Sequence, residues 1–173
     1  MPASIRQAEP ADAEAIAAIY NQGIEERRST FETRPRSAAD IAEAMAPPDS
    51  AQFLVAETAG DVLGWGRLSR WSLRECYAGV GEASVYVERA ARGQGLGRRL
   101  LEALAEDAGR RGHWKLVGLL FPDNDASMAL CRRAGFREVG VFERHGQLEG
   151  AWRNVLIVER LLADSGEIWL RSR

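Results

Sequence analysis

The segment Gly79-Val-Gly-Glu82-Ala-Ser-Val85-Tyr86-Val87, followed after four residues by Arg92-Gly93-Gln94-Gly95-Leu96-Gly97, decides how this chain is read. Its first part ends in three residues that favour a strand. A glycine-rich loop then leads into a leucine-periodic segment carrying Leu100, Leu101, Leu104 and Ala108. Small residues let backbone N–H groups converge on an anion, and a helix opening at Gly97 adds the positive end of its dipole. Arg92, Arg98 and Arg99 place cations around the loop, and Glu82 lies upstream on the feeding strand, where a carboxylate is a candidate base. The pattern is that of a site for a phosphate-bearing ligand.

Outside this stretch the composition sets bounds. A chain of 173 residues fits one domain over 1–173, with a core at 4–161 and a tail at 162–173. The 46% hydrophobic and 28% charged fractions are those of a soluble globular protein, and a net charge of -2 with scattered basic residues gives no support for a nucleic-acid partner. No apolar run approaches the roughly 20 residues that span a bilayer, so no membrane association is expected. The start Met-Pro-Ala-Ser-Ile-Arg lacks the regions of a signal peptide, and the expectation is a cytoplasmic protein. Cys76, Cys131, His113 and His145 form neither a disulfide framework nor a metal-ligand set, and no metal is expected.

Periodicity and breakers predict the remaining elements. Ser4 to Ala8 reads as a strand, and Pro10 opens a helix with Ile16, Ile19, Tyr20 and Ile24 on one face, ending near Arg27. Ser29 to Arg36 is polar and broken by Pro35, with Phe31 lacking an evident core. A helix from Ser37 to Ala46 is stopped by Pro47 and Pro48. Gln52 to Thr58 and Val62 to Ser69 flank the turn Ala59-Gly60-Asp61 as a hairpin, and Arg70 to Ala78 is a loop. Lys115 to Phe121 is a buried strand. Asp123-Asn124-Asp125 caps a helix running to Ala134 and ended by Gly135. Arg137 to Phe142 and Trp152 to Leu161 are closing strands, joined by a loop from Gly146 to Gly150. The expected fold is α/β, a sandwich with a mixed sheet.

Arg92-x-x-Gly95-x-Gly97 after a strand, with Asn124-x-x-Ser127 opening a helix that closes in Gly135-Phe136, resembles the acyl-CoA site of the GCN5-related N-acetyltransferases. The resemblance implies that fold, with a mostly antiparallel sheet of about seven strands flanked by helices. Tyr20-Asn21, Thr30-Phe31-Glu32-Thr33, Arg74-Glu75-Cys76-Tyr77, Glu82 to Val87 and Gly150-x-Trp152-x-Asn154-Val155 resemble the phosphinothricin N-acetyltransferase branch. Cys76-Tyr77-Ala78-Gly79-Val80 and Glu143-Arg144-His145-Gly146 are most similar to its arsinothricin-detoxifying members. The branch implies acetyl transfer from acetyl-CoA to the α-amine of phosphinothricin, methionine sulfoximine or arsinothricin, antibiotic resistance, a small amino acid analogue as partner substrate, and a homodimer. In three places the chain departs from the pattern. Cys131 stands where many members carry a tyrosine that protonates the leaving thiolate, Asn154 where an aspartate is frequent, and Leu148 where a lysine is.

Roles follow residue by residue. Attack on a thioester requires the free amine, and Glu82 is the candidate base; its alternative is a solvated strand carboxylate or an ion-pair partner of Arg74. The resemblance places the CoA pyrophosphate on Arg92, Gly93, Gln94, Gly95, Leu96, Gly97 and Arg98, the pantetheine arm along Val85, Tyr86 and Val87, and further contacts at Asn124 and Ser127. An asparagine at a helix start is equally an ordinary cap. An acidic substrate needs fixed cations, which selects Arg74, with Tyr77 and Phe31 shaping the pocket. The alternatives are a solvated arginine and plain packing. Cys131 reads as a small buried hydrophobe or a proton donor. Rival readings are an acetyltransferase for a protein N-terminus or another small amine, and a non-catalytic acyl-CoA sensor, which has no use for Glu82 or Arg74.

Overall fold

The structure, a computed structural model, describes residues 3–46 and 52–162. The expected stops at Pro47 and Pro48, and the tail beyond Leu162, lie outside the described residues. Chain order is β1 (Ser4–Gln7), α1 (Ala13–Glu26), α2 (Ala38–Met45), β2 (Gln52–Thr58), β3 (Asp61–Arg70), β4 (Val80–Val87), α3 (Leu96–Arg110), β5 (Lys115–Leu120), α4 (Asp125–Arg133), β6 (Arg137–Leu148) and β7 (Ala151–Leu161). The strands form one sheet in the order β1-β2-β3-β4-β5-β7-β6. Every pairing is antiparallel except β4 with β5, so the expected element order and sheet class are both observed.

Local chemistry sets the helix ends. Pro10 does not begin an α-helix but a single 3-10 turn, Pro10–Asp12, in which Asp12 accepts from the Glu9 amide at 2.7 Å and is held by Arg6. Ser37 and Asp40 form a capping box on α2. Gly95, at φ 79, precedes α3, so the helix starts at Leu96, one residue earlier than expected. Arg27 ends α1 in the left-handed conformation at φ 55.

Alternation along the strands divides the core. One face of the sheet presents Leu54, Ala56, Leu68, Ala83 and Leu116 to the leucine stripe of α3, where Leu100 and Leu104 are wholly enclosed. The other face presents Phe53, Val55, Trp65 and Tyr86 to Ile16 and Ile19 of α1. Each fully buried leucine or isoleucine contributes about 1.5–3 kcal/mol relative to exposure. Close approach of α3 depends on Gly66, where an added Cβ would stand 2.8 Å from Leu104 Cδ1.

The expected Gly146 to Gly150 loop is corrected. β6 continues to Leu148 across an irregularity between Phe142 and Gly146, where Arg144 takes φ 49 and its amide donates to Asn154 Oδ1 at 2.8 Å. The connection shrinks to Glu149-Gly150, both at positive φ, which suits a two-residue hairpin turn. Absorbing the extra residues as a bulge keeps the ladder running. Phe31 is likewise corrected: its ring lies edge-on to Phe121 at 4.9 Å and close over Gly146.

The Gly66–Leu104 contact gives a test by coupling. Gly66→Ala is expected to destabilise by about 1–3 kcal/mol through overpacking, and Leu104→Ala by about 2–5 kcal/mol through the cavity it leaves. In the double variant most of the Gly66→Ala cost should vanish, because the atom it strikes is gone. Urea unfolding of the four proteins measures this. Strictly additive costs would mean that the clash is relieved elsewhere.

Candidate active site

The parallel ladder between β4 and β5 lasts only three rungs, Val80 with Lys115, Gly81 with Leu116 and Glu82 with Val117. Beyond it each strand stays paired to its outer neighbour, β4 to β3 as far as Val87 and β5 to β7 as far as Leu120. The two inner edges part, and a cleft of about 600 Å³, open solvent included, fills the fork. Ser84, Val85 and Tyr86 form one wall, Gly118 to Phe121 the other, and α3 and α4 contribute Leu101, Leu130 and Cys131. Ser29 and Asn124 stand at its rim. The narrow, half-apolar opening with free strand edges suits an extended acyl arm.

Glu82 occupies the last rung, opposite Ser69 on β3. It is partly buried and has no hydrogen bond or ion pair among the described residues. Burial pushes its carboxyl above the ordinary glutamate value, and the cationic Arg67 pulls the other way. The expected alternative, pairing with Arg74, is not what the structure places there. Arg74 lies over the Tyr77 ring at 5.7 Å, at the 3-10 turn Glu75–Tyr77. Arg74 and Tyr77 are thus brought together, while the Phe31 ring meets Phe121 on the β5 side of the cleft.

At the fork's open end, Gly93 and Gly95 have φ of 78 and 79, and an added Cβ at either would meet nothing within 4 Å. The loop therefore offers an unshielded backbone at the N-terminus of α3, a cradle that fits the pyrophosphate of an acyl-CoA. The flanking arginines are less available than expected. Arg92 is paired with Glu26 at 2.9 Å and donates to the Val87 carbonyl; Arg98 is paired with Glu102; Arg99 donates to the Ala3 carbonyl. Gln94 donates weakly to the Ala90 carbonyl at 3.5 Å. Leu96 and Gly97 are buried, the latter under Leu130.

On β4 the alternation separates roles. Val85 and Val87 pack toward the α3 cluster, whereas Tyr86 points to the other face, stacked on Trp65 at 4.8 Å and edge-on to Tyr20. Its side chain is therefore structural, and burial raises its phenol strongly. Asn124 is the cap of α4: the Ser127 amide donates to its Oδ1 at 3.1 Å, and its Nδ2 donates to the Arg28 carbonyl at 3.0 Å. Both polar ends are thereby occupied. Cys131 is buried on α4, lines the cleft, and its thiol is pushed up to about 11 by desolvation. Among the described residues no cluster could hold a metal ion.

The sequence did not mark Ser29, Phe121 or Arg67 for the site, and it marked Phe136 only as the close of the Asn124 helix. Phe121 and Phe136 were readable as the ends of a buried strand and of a helix cap. Arg67 shares the period-two face of Trp65, which alone marks it as an inward cation. Ser29 had no signal, since it is placed by the turn at Arg27, by its own hydroxyl donating to the Gly23 carbonyl and by the distant hydrogen bonds that tie Arg28 to Asp123 and Asn124.

A model of the acetyltransferase (GNAT) family matches residues 16–136. The L-methionine sulfoximine/L-methionine sulfone acetyltransferase of Pseudomonas paraeruginosa is 35% identical over 92% of this chain and 94% of its own. Among solved structures, a ribosomal-protein-alanine N-acetyltransferase from Brucella melitensis is 34% identical with a TM-score of 0.87, covering 92% of this chain and 99% of its own. A GNAT superfamily phosphinothricin acetyltransferase from Sinorhizobium meliloti, solved with acetyl-CoA, also has a TM-score of 0.87 at 28% identity, covering 96% and 92%.

The thiol at the cleft gives a direct check. With a pKa of about 11, Cys131 is roughly 0.1% thiolate at pH 8, and only the thiolate reacts with iodoacetamide. Exposed Cys76 should be alkylated first, with Cys131 at least about ten times slower and slower still with saturating CoA. Peptide mass spectrometry over time reads both sites. Equal rates would place Cys131 outside a closed cleft.

Proposed function

We propose that this chain, which belongs to the acetyltransferase (GNAT) family and is an acetyl-CoA-dependent N-acetyltransferase, acetylates the α-amine of glutamate-like amino acid analogues: phosphinothricin, methionine sulfoximine and arsinothricin. The role that goes with this reading is resistance to such compounds, exercised in the cytoplasm. One observation carries it, an unpaired, partly buried carboxylate at the last rung before β4 and β5 part. A carboxylate serves the transfer step there and has no part in simply holding CoA.

When bound, acetyl-CoA supplies the acetyl group as a thioester. Backbone N–H groups of Gly93, Gln94, Gly95, Leu96 and Gly97 would hold its pyrophosphate, with the charges of Arg92 and Arg98 nearby, and the β4 backbone from Val85 to Val87 would serve the pantetheine arm. Asn124 fixes α4 against the Arg28 loop, and Ser127 stands at the cleft wall. An acceptor arriving as an ammonium must lose a proton before it attacks. Glu82 takes that proton, directly or through a water, and its burial makes the ionised form a stronger base. As the amine nitrogen bonds the acetyl carbon, the C–S bond of the thioester breaks and CoA leaves as a thiolate that takes the second amine proton. The proton on Glu82 passes to solvent, and Cys131, held as a thiol, lines the cleft beside the site. Arg74, with Tyr77 beneath it and Phe31 on the far wall, receives the acceptor's side-chain oxygens, an oxyanion in phosphinothricin and arsinothricin and the polar S=O in methionine sulfoximine.

A second reading has a specific source, the likeness to the Brucella ribosomal-protein-alanine N-acetyltransferase, and makes the acceptor a protein N-terminus. Acetyl-CoA consumption measured in parallel with phosphinothricin, methionine sulfoximine, arsinothricin, a polyamine and an alanine-initiated peptide separates the two. Under the favoured reading a glutamate analogue has the highest kcat/KM. A faster peptide or polyamine would remove the substrate assignment. Glu82→Gln should lower turnover roughly 10²-fold or more, with acetyl-CoA affinity nearly unchanged. Because burial raises the Glu82 pKa, the wild-type kcat/KM should fall as pH drops through a value above the usual glutamate range of about 4.3, and this limb should be absent in the variant. Wild-type turnover by Glu82→Gln across the pH range would make Glu82 structural.

The homodimer implied by the branch has a suitable surface. Val139, Val141, Phe142, Trp152 and Leu161 are exposed on β6 and β7, at the sheet's edge. Sedimentation velocity at micromolar concentration is expected to show a dimer, converted to monomer by Val141→Glu with Trp152→Lys. A monomeric wild type would exclude it.

A further inference from the structure

Resting on the amino acid reading above, we propose that Arg67 binds the α-carboxylate of the acceptor and thereby makes the enzyme selective for α-amino acids over simple amines. Arg67 lies on β3, opposite Ser84 of β4, with Ser69 opposite Glu82 one rung further along. Arg67 and Glu82 are therefore a diagonal pair on one face of the sheet, with Cα atoms about 7–8 Å apart. That face also carries Trp65 and Tyr86, packed under α1, so a cation there needs a reason.

Its surroundings leave the cation unsatisfied. No hydrogen bond or ion pair reaches Arg67 among the described residues, and its Nε is enclosed without an acceptor. The guanidinium rests on the Phe53 ring at 5.7 Å, and Phe53 is itself only 5% exposed. This contact fixes the guanidinium and leaves its donors to another partner. Arg92 and Arg98 each have a carboxylate of their own; Arg67 has only the field of Glu82 one diagonal away. Glu82 is uncompensated in the same way. Two opposite charges held at that separation without touching form a dipolar pair of sites.

An α-amino acid carries the complementary pair on one carbon. With its amine at Glu82, its carboxylate is directed toward Arg67, where a planar guanidinium accommodates an oxyanion through parallel N–H donors. Arg74, on the loop after β3, is then left for the side-chain oxygens. A simple amine places only a positive group beside Arg67 and offers its donors nothing, so the residue also acts against the wrong acceptor. A protein N-terminus, whose carboxyl is in peptide linkage, is disfavoured on the same ground.

Kinetics with L-methionine sulfoximine and with the same molecule lacking its α-carboxylate, 3-(methylsulfonimidoyl)propylamine, test the assignment. In the wild type the amino acid should be preferred. Arg67→Met, which keeps the apolar contact with Phe53, should raise KM for the amino acid roughly 10- to 100-fold more than for the amine, compared at a pH above the Glu82 limb so that loss of the Arg67 charge beside Glu82 weighs equally on both acceptors. Arg67→Lys should restore part of the loss. Unfolding midpoint and acetyl-CoA affinity, measured on each variant, separate this from a folding defect. Equal losses on both acceptors, or an unchanged ratio in a folded Arg67→Met, would overturn the assignment while leaving the acetyltransferase acting on amino acids. A wild type that prefers the amine would overturn the substrate reading and this assignment together.

Discussion

A single parallel pairing in an otherwise antiparallel sheet is the constraint on which the molecule depends. β4 and β5 run side by side for three rungs only, because each is held along its outer edge by an antiparallel partner whose twist leads it away. The crossover between them is α3, and its leucine stripe closes the bottom of the fork. Inner strand edges, the glycine loop and the carboxylate of Glu82 all acquire their places from that divergence. A fully zipped sheet would bury the same residues and leave no site.

Charge is distributed in a way that reinforces this geometry. The arginines that crowd the glycine loop are engaged by Glu26 and Glu102, and the helix N-terminus and bare backbone are left facing outward. Glu26 thereby ties α1 to the loop, so the element that covers one face of the sheet also steadies the anion cradle. Two part-buried charges with no ion pair among the described residues, Glu82 and Arg67, lie on the opposite face from the leucine core.

Much of this was legible in the chain. Strands and helices declared themselves where one face is buried, because a 2-residue or 3.6-residue period is then forced on the sequence. The glycine loop was readable because only glycine tolerates φ near +80° at both Gly93 and Gly95. What escaped was decided by distant residues. The β6–β7 turn was misplaced because the edge strand is exposed along most of its length, and without burial there is no alternation to read. Arg92 showed its charge but not its partner, since Glu26 lies 66 residues away. Ser29 is brought to the cleft by the hydrogen bond of its neighbour Arg28 to Asp123, and Phe31 by its contacts with Phe121 and Gly146, none of them local.

The alternation of β4 also makes that strand a measuring rod. Five residue steps separate Glu82 from Val87, roughly 17 Å at about 3.3 Å per step, and every odd step belongs to the α3 side. Adding or deleting one residue would turn Glu82 toward the α3 leucines, send Tyr86 out of its aromatic stack and shift the anion cradle by a full step. Substitution within the strand is therefore survivable where a change of length is not. Insertions should accumulate instead at the exposed Ala59-Gly60 turn between β2 and β3, where lengthening the chain alters neither the register of β4 nor the placement of Arg74 and Tyr77.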